Sequence, residues 1–191
     1  MFQELLARLA RALDGAGISY MVIGGQAVLL HGEPRLTRDI DVTLGIEASG
    51  LARVLQAVER IGLRPSVSDV EIFVQTTNVL PLTDEPTAIR VDLIFSFTPY
   101  ESEAIRRAVG VSFGETIVRF AAAEDLIIHK LVAGRPRDLD DVGGVLARHP
   151  SLDEAYLNKW LLAFHDVVNR DLVREYRTLK LSRDSDEGRK Q

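Results

Sequence analysis

The chain has 191 residues, 46% of them apolar, which is enough for one good core with a helical extension besides. Without cysteine it has no disulfide framework, no thiolate zinc site and no cysteine nucleophile. A net charge of −5 argues against the generally basic surface that coats duplex nucleic acid, though Arg35, Arg38, Lys130, Arg135 and Arg137 could form a local basic rim.

In chain order, apolar residues at Phe2, Leu5, Leu6, Leu9, Ala10 and Leu13 have helical spacing, and Gly15 and Gly17 end the run. This N-terminal helix lacks a cationic leader, and no apolar run approaches the roughly 20 residues of a membrane span, so a cytoplasmic protein with no membrane partner is expected. Residues 19–23 read as a strand, 26–30 as a short helix and 39–44 as a second strand closed by Gly45. A helix follows through Leu51, Val54, Leu55, Val58 and Ile61, with Ser49 as its N-cap and Gly62 as its stop. Residues 70–75 read as a strand, 76–87 as a proline-bearing loop, and 88–95 as a strongly β-prone run with Asp92 inside it. A helix over 101–109 and two short β pieces within 111–120, split by Gly114, complete the first part.

From Ala122 the character changes, and 122–132, 138–147, 152–164 and 167–179 all fit helices, the third opened by a capping box of Ser151 and Glu154. The expected division is an α/β domain over 1–121, a helical subdomain over 122–180 and a charged, disordered tail over 181–191. His31, His129, His149 and His165 show no metal-ligand spacing, and Tyr156, Trp160 and Phe164 at helical spacing belong to the core of the helical half.

Chemistry concentrates between Gly24 and Val42. Successive strand side chains alternate between faces, so Asp39 and Asp41 share one face and Ile40 and Val42 the other. Two adjacent carboxylates repel unless a cation sits between them, and magnesium or manganese takes oxygen ligands of this kind. Gly24 and Gly25, between a strand and a helix, allow a tight turn whose backbone N–H groups can approach phosphate oxygens. A lone acid in an apolar strand is costly, so Asp92 needs a cation: a metal, or a neighbour such as Arg90 or Arg119. Glu71, in the run read as a strand over 70–75, is the rival third acid.

Gly24-Gly25, thirteen intervening residues, Asp39-Ile40-Asp41-Val42 and the later Asp92 together resemble the polymerase-β-like nucleotidyltransferase superfamily. The run from Ala123 to Leu131, followed by Arg135-Pro136-Arg137-Asp138-Leu139-Asp140-Asp141, resembles the AbiEii-type branch, many members of which are toxins of toxin–antitoxin pairs. One departure is Gln26, where a small hydroxyl residue often follows the glycines.

The resemblance implies an α/β (α+β) fold, a small mixed sheet flanked by helices, followed by a helical C-terminal half. It implies two Mg2+ or Mn2+ ions on the catalytic acids Asp39, Asp41 and Asp92, and a nucleoside triphosphate (NTP) held by Gly24, Gly25, Arg38 and Lys130. Arg137, Asp138 and Asp141 would close the site or meet the acceptor. The implied reaction moves a nucleoside monophosphate to an acceptor hydroxyl with release of pyrophosphate. RNA or tRNA would be the acceptor, with an antitoxin as partner. The competing readings are a catalytically degenerate nucleotide-binding or partner-binding module and an antibiotic nucleotidyltransferase.

Overall fold

The structure, a computed structural model, describes the backbone of residues 1–188 and the side chains of 1–183. Its residues divide into two compact units, Met1–Gln26 with Leu36–Ala121, and Ala27–Arg35 with Ala122 onwards. The segment 27–35, read from sequence as part of the α/β domain, thus belongs with the helices.

The first unit is built on a seven-stranded mixed sheet of order β3-β4-β5-β2-β1-β7-β6. Its strands are β1 (Tyr20–Ile23), β2 (Asp39–Leu44), β3 (Leu63–Pro65), β4 (Val79–Asp84), β5 (Arg90–Phe95), β6 (Val109–Phe113) and β7 (Thr116–Phe120). The β2–β5 and β1–β7 pairs are parallel and the other four antiparallel. All four side chains of β1 are buried, as suits a strand in the middle of a sheet. In β2 and β5, Ile40, Val42, Leu44, Val91, Leu93 and Phe95 line a fully buried face, while Asp39, Asp41 and Asp92 stand on the other.

Helices α1 (Phe2–Gly15), α3 (Leu51–Glu59), α4 (Val70–Thr77) and α5 (Pro99–Arg107) belong to this unit. Arg8 of α1 pairs with Asp84, and Arg11 donates to Thr116 Oγ1 at 2.7 Å. Asp84 alternates with Pro81, the register partner of Asp92, across the strand, so α1 lies on the sheet face opposite the three acids.

Three expectations for this unit are corrected. Residues 70–75 form helix α4, which places Glu71 on an exposed helix and removes it as a third strand acid. Periodicity cannot separate a short apolar run in a strand from one in a helix. Only Val74 of α4 is buried; Thr76 and Thr77 return their hydroxyls to the carbonyls of Ile72 and Phe73, each at 2.8 Å, and Asn78 ends the helix at φ 55°. Residues 79–84, expected within a loop because of Pro81, form the interior strand β4. The Pro81 carbonyl accepts from Ser66 N at 2.9 Å just beyond the last β3 pair, Pro65–Leu82, so the missing N–H faces the side where that short strand has ended. Ser49 also falls in a short 3-10 turn, Ala48–Gly50, and does not cap α3; Gly50 stands at its N-cap.

The second unit holds α6 (Ala123–Ala133), α7 (Pro136–Arg148), α8 (Glu154–Val168) and α9 (Leu172–Gly188). It also takes all but the first turn of α2 (Gly24–His31). Segment 27–35 joins it through specific bonds. Arg148 Nη1 donates to the Gly32 carbonyl at 2.8 Å, and Gly144 lets α7 approach so closely that a Cβ there would stand 3.1 Å from Glu33 N. The cap of α8 is Asp153, which accepts from Tyr156 N at 2.9 Å, in place of the expected Ser151–Glu154 box. Glu154 instead accepts from Tyr176 Oη at 2.8 Å and Lys180 Nζ at 2.6 Å, tying α8 to α9. Helix α9 runs to Gly188, and residues 189–191 of the tail expected over 181–191 lie outside those described. Among the described residues no helix is long and apolar enough to cross a membrane.

Candidate functional site

The carboxylate face of the α/β unit follows from strand register. β2 and β5 run parallel with Asp39 opposite Arg90 and Asp41 opposite Asp92, so Asp41 and Asp92 are direct neighbours and Asp39 and Arg90 form the next rung. Ile23, the last residue of β1, lies on the other side of Asp41. The chain then turns at Gly24, whose φ of +60° favours glycine. A Cβ at Gly24 would overlap the Asp41 carboxylate, standing 2.9 Å from its Cγ, and one at Gly25 would stand 2.8 Å from Thr37 Cβ. Both glycines are therefore required by close approach of the very side chains that line the site. They open α2 directly, as its first two residues.

Thr37, buried, donates its hydroxyl to Asp39 Oδ1 at 3.2 Å, and Gln26 Nε2 reaches the Asp39 carbonyl at 3.4 Å. Gln26 thus supports the start of β2 from the position where the resemblance expected a hydroxyl. Arg90 Nη2 donates to Asp92 Oδ2 at 2.6 Å, with the Arg90 side chain 62% exposed and that of Asp92 15%. That hydrogen bond, with the charges of Asp92, Asp39 and Asp41, raises the Arg90 guanidinium above its ordinary range despite some desolvation. Arg38 is exposed on the loop just before β2. Arg119, the other partner considered for Asp92, pairs with Asp14 at 2.7 Å.

Among the described residues no group of three or more His, Asp or Glu side chains converges tightly enough to hold a metal ion. The donor set nevertheless has the right chemistry: three hard-oxygen carboxylates on one face, one of them held by a guanidinium where another cation could stand.

In the helical unit, Lys130 is 8% exposed and its Nζ lies 2.7 Å from Asp138 Oδ1 and 2.8 Å from Asp141 Oδ2. Arg35 grips the same Asp141 with both ends of its fork, Nε to Oδ1 at 2.7 Å and Nη2 to Oδ2 at 2.9 Å. Burial pushes the Asp141 carboxyl up, but Arg35 and Lys130 outweigh it and hold it below the usual carboxylate range. Arg137 is exposed near the start of α7. Lys130 is therefore neither a surface lysine nor an isolated cation; it is the centre of an ion network with Asp138 and Asp141. The participation of Arg35 has no local signature, because its partner lies more than a hundred residues along the chain. Arg90 was more accessible to sequence reasoning, since it precedes Asp92 by two in a strand and so shares its face.

The histidines form no metal site among the described residues; His31 Nδ1 meets His149 Nε2 at 3.2 Å. His129 keeps part of its surface exposed while its Nε2 is enclosed, and burial first, then the charge of Lys130, pushes its pKa down to about 4.

This geometry accords with known folds. An antigenic nucleotidyltransferase-like protein from Paracoccidioides brasiliensis matches 92% of this chain and 91% of its own, with 17% identity and a TM-score of 0.55. A putative nucleotidyltransferase from Thermotoga maritima matches 85% of this chain and 93% of its own, with 14% identity and a TM-score of 0.51. At such identities the likeness establishes the fold, that of the polymerase-β-like nucleotidyltransferases. No curated protein sequence matches the chain. Residues 4–189, however, match the family described as Nucleotidyl transferase AbiEii toxin, Type IV TA system, and the chain belongs to that family.

Proposed function

We propose that this protein transfers a nucleoside monophosphate from an NTP to an acceptor hydroxyl and releases pyrophosphate. The observation that carries this reading is the in-register pair Asp41–Asp92 with Asp39 on the same face of two parallel strands, bounded by glycines that leave no room for a side chain. On that face of β2 and β5 three carboxylate side chains gather, with the Arg90 guanidinium bonded to Asp92, an oxygen-rich donor set of the kind that suits a divalent cation.

Asp39, Asp41 and Asp92 would hold Mg2+ or Mn2+, which supplies charge neutralisation at the α-phosphate and at the leaving pyrophosphate. The remaining steps belong to the chain's own groups. Backbone N–H groups at Gly24 and Gly25 are assigned to the β- and γ-phosphates, with the N-terminal end of the α2 dipole behind them. Arg38 adds a cation to the same oxygens. An Asp92 carboxylate oxygen accepts the proton of the attacking hydroxyl, which requires Arg90 to release it.

For Lys130, Asp138, Asp141 and Arg137 the resemblance suggests a nucleotide- or acceptor-facing role, but the bonds within the helical unit favour a second reading. Lys130, Asp138, Asp141 and Arg35 make an internal ion-paired brace for α6, α7 and segment 27–35.

The family's description as a toxin of a type IV system supports an antitoxin as counterpart, and RNA or tRNA is the acceptor this reading takes from the resemblance. The test is to incubate the protein with magnesium, each α-labelled NTP in turn and total cell lysate. Label in RNA is the expected result. Label in protein or small molecules would move the acceptor to those classes. No label, with nucleotide still bound by calorimetry, would leave a binding module.

A further inference from the structure

On the sheet face opposite the acids, α1 and α3 enclose a groove of about 600 Å³. One wall carries Arg8 and Arg11 and the other Arg53 and Arg60, over a floor that includes Ala12, Gly15, Ala16, Ala57 and Ile61. No acid lines it. Arg8 is compensated by Asp84, and in a chain of net charge −5 the other three guanidinium groups around one concavity give it a local positive field.

Three of the four are held in place by the fold. Arg8 pairs with Asp84, Arg11 donates to Thr116, and Arg53 donates through Nε to the Ala16 carbonyl at 2.9 Å. The Arg60 side chain is exposed and makes no hydrogen bond or ion pair among the described residues. A guanidinium has five N–H donors, so each of these anchored groups keeps donors for an outside ligand.

We propose that this groove binds the phosphodiester backbone of single-stranded RNA, as a site separate from the carboxylate face. Planar guanidinium forks match phosphate oxygens two at a time. The absence of aromatic side chains from the lining leaves nothing on which a base would stack, so the groove reads the backbone and not the sequence. The small floor residues offer no deep socket for an anchoring peptide side chain, and both walls are helices, which present no free strand edge. The inference rests on the RNA-acceptor reading only for the use made of the bound strand. Binding itself requires neither NTP nor metal.

The experiment is fluorescence anisotropy with a labelled 20-nucleotide single-stranded RNA, without NTP or magnesium, over a range of salt concentrations. Each phosphate neutralised contributes about 0.7 to the salt slope, so three or four contacts give a slope of about −2 to −3. Arg60→Glu should weaken binding by about threefold to tenfold and make the slope shallower, whereas Arg60→Lys should retain most of both. Arg11→Glu should act in the same direction, with folding checked by circular dichroism. Asp41→Asn should bind RNA as the parent does, so a failure of transfer is distinguishable from a failure of this site. Equal affinity and slope in Arg60→Glu and Arg11→Glu would overturn the proposal. So would a glutamate-rich peptide that binds as tightly and is as sensitive to Arg60→Glu, or inorganic triphosphate that occupies the groove while RNA does not.

Discussion

The two clusters of acidic and basic side chains in this protein are built on opposite plans. In the helical unit, Asp138 and Asp141 face Lys130 and Arg35, all within 3 Å of a partner and largely buried, and Arg135 adds a looser contact to Asp138 at 3.7 Å. In the α/β unit, Asp39, Asp41 and Asp92 stand on one sheet face, where the exposed guanidinium of Arg90 bonds Asp92. A buried, mutually paired network is what a chain needs to hold segments together. An acid-rich face that glycines keep open makes sense as a place for a ligand.

The largest effect should come from the carboxylate face. Asp41→Asn is expected to lower nucleotidyl transfer by about 10³-fold or more while the protein still folds, as circular dichroism checks. Gly24→Ala should lose transfer too, through the displaced Asp41 carboxylate and a strained φ of +60°, with some loss of stability. Transfer retained by Asp41→Asn would remove the basis for the assignment of the acids.

The buried cluster should respond the other way round. Lys130→Met leaves Asp138 and Asp141 short of a cation, and breaking a buried pair in this way costs about 3–5 kcal/mol, visible as a large fall in the denaturation midpoint. Arg35→Met and Asp141→Asn should show a coupling of about 1–3 kcal/mol in a double-mutant cycle. A Lys130→Met protein with unchanged stability and lost nucleotide affinity would reverse the comparison and give Lys130 the phosphate role that the family resemblance suggests.

This contrast also marks what could be read in the sequence. Asp39, Asp41 and Asp92 were legible because strand alternation places side chains by arithmetic, and β2 was found at its observed bounds. The pair Asp41–Asp92 could be suspected but not placed, since register between β2 and β5 depends on packing across the intervening chain. Residues 70–84 were misread because β propensity expresses burial against neighbours, and the run 70–77 has almost none, whereas Pro81 sits where the sheet tolerates it. The brace around Lys130 was invisible because Arg35 reaches it from a segment that sequence order assigned to the other unit.

Acidification should strain the helical unit first. The pKa of His129 is pushed down to about 4, so the neutral ring contributes stability that is complete above its ordinary value of 6.5 and is lost as pH falls from there toward 4. Asp141, held below 3.8, contributes stability that is present above that value and lost only as pH falls below it. Melting temperatures between pH 7.5 and 4.5 should therefore decline in the His129 window, by up to about 3 kcal/mol of stability. His129→Gln should flatten that decline; an unchanged profile would show that His129 is not its source.

The smallest effect is the most diagnostic for the open face. Arg90 must leave Asp92 before a metal ion can use both oxygens, so the guanidinium and the cation compete for one carboxylate. An exposed pair of this kind is worth no more than about 1 kcal/mol, so Arg90→Gln should lower the magnesium concentration for half-maximal transfer by up to about fivefold. The maximal rate should stay within about twofold, because Arg90 in this reading restrains Asp92 and does not touch the nucleotide. If Arg90 served the triphosphate instead, the same variant would raise the KM for NTP and leave the magnesium dependence where it was. The two outcomes separate a cation that keeps the acids compact until metal arrives from one that belongs to the substrate site, a distinction that has no counterpart in the closed network around Lys130.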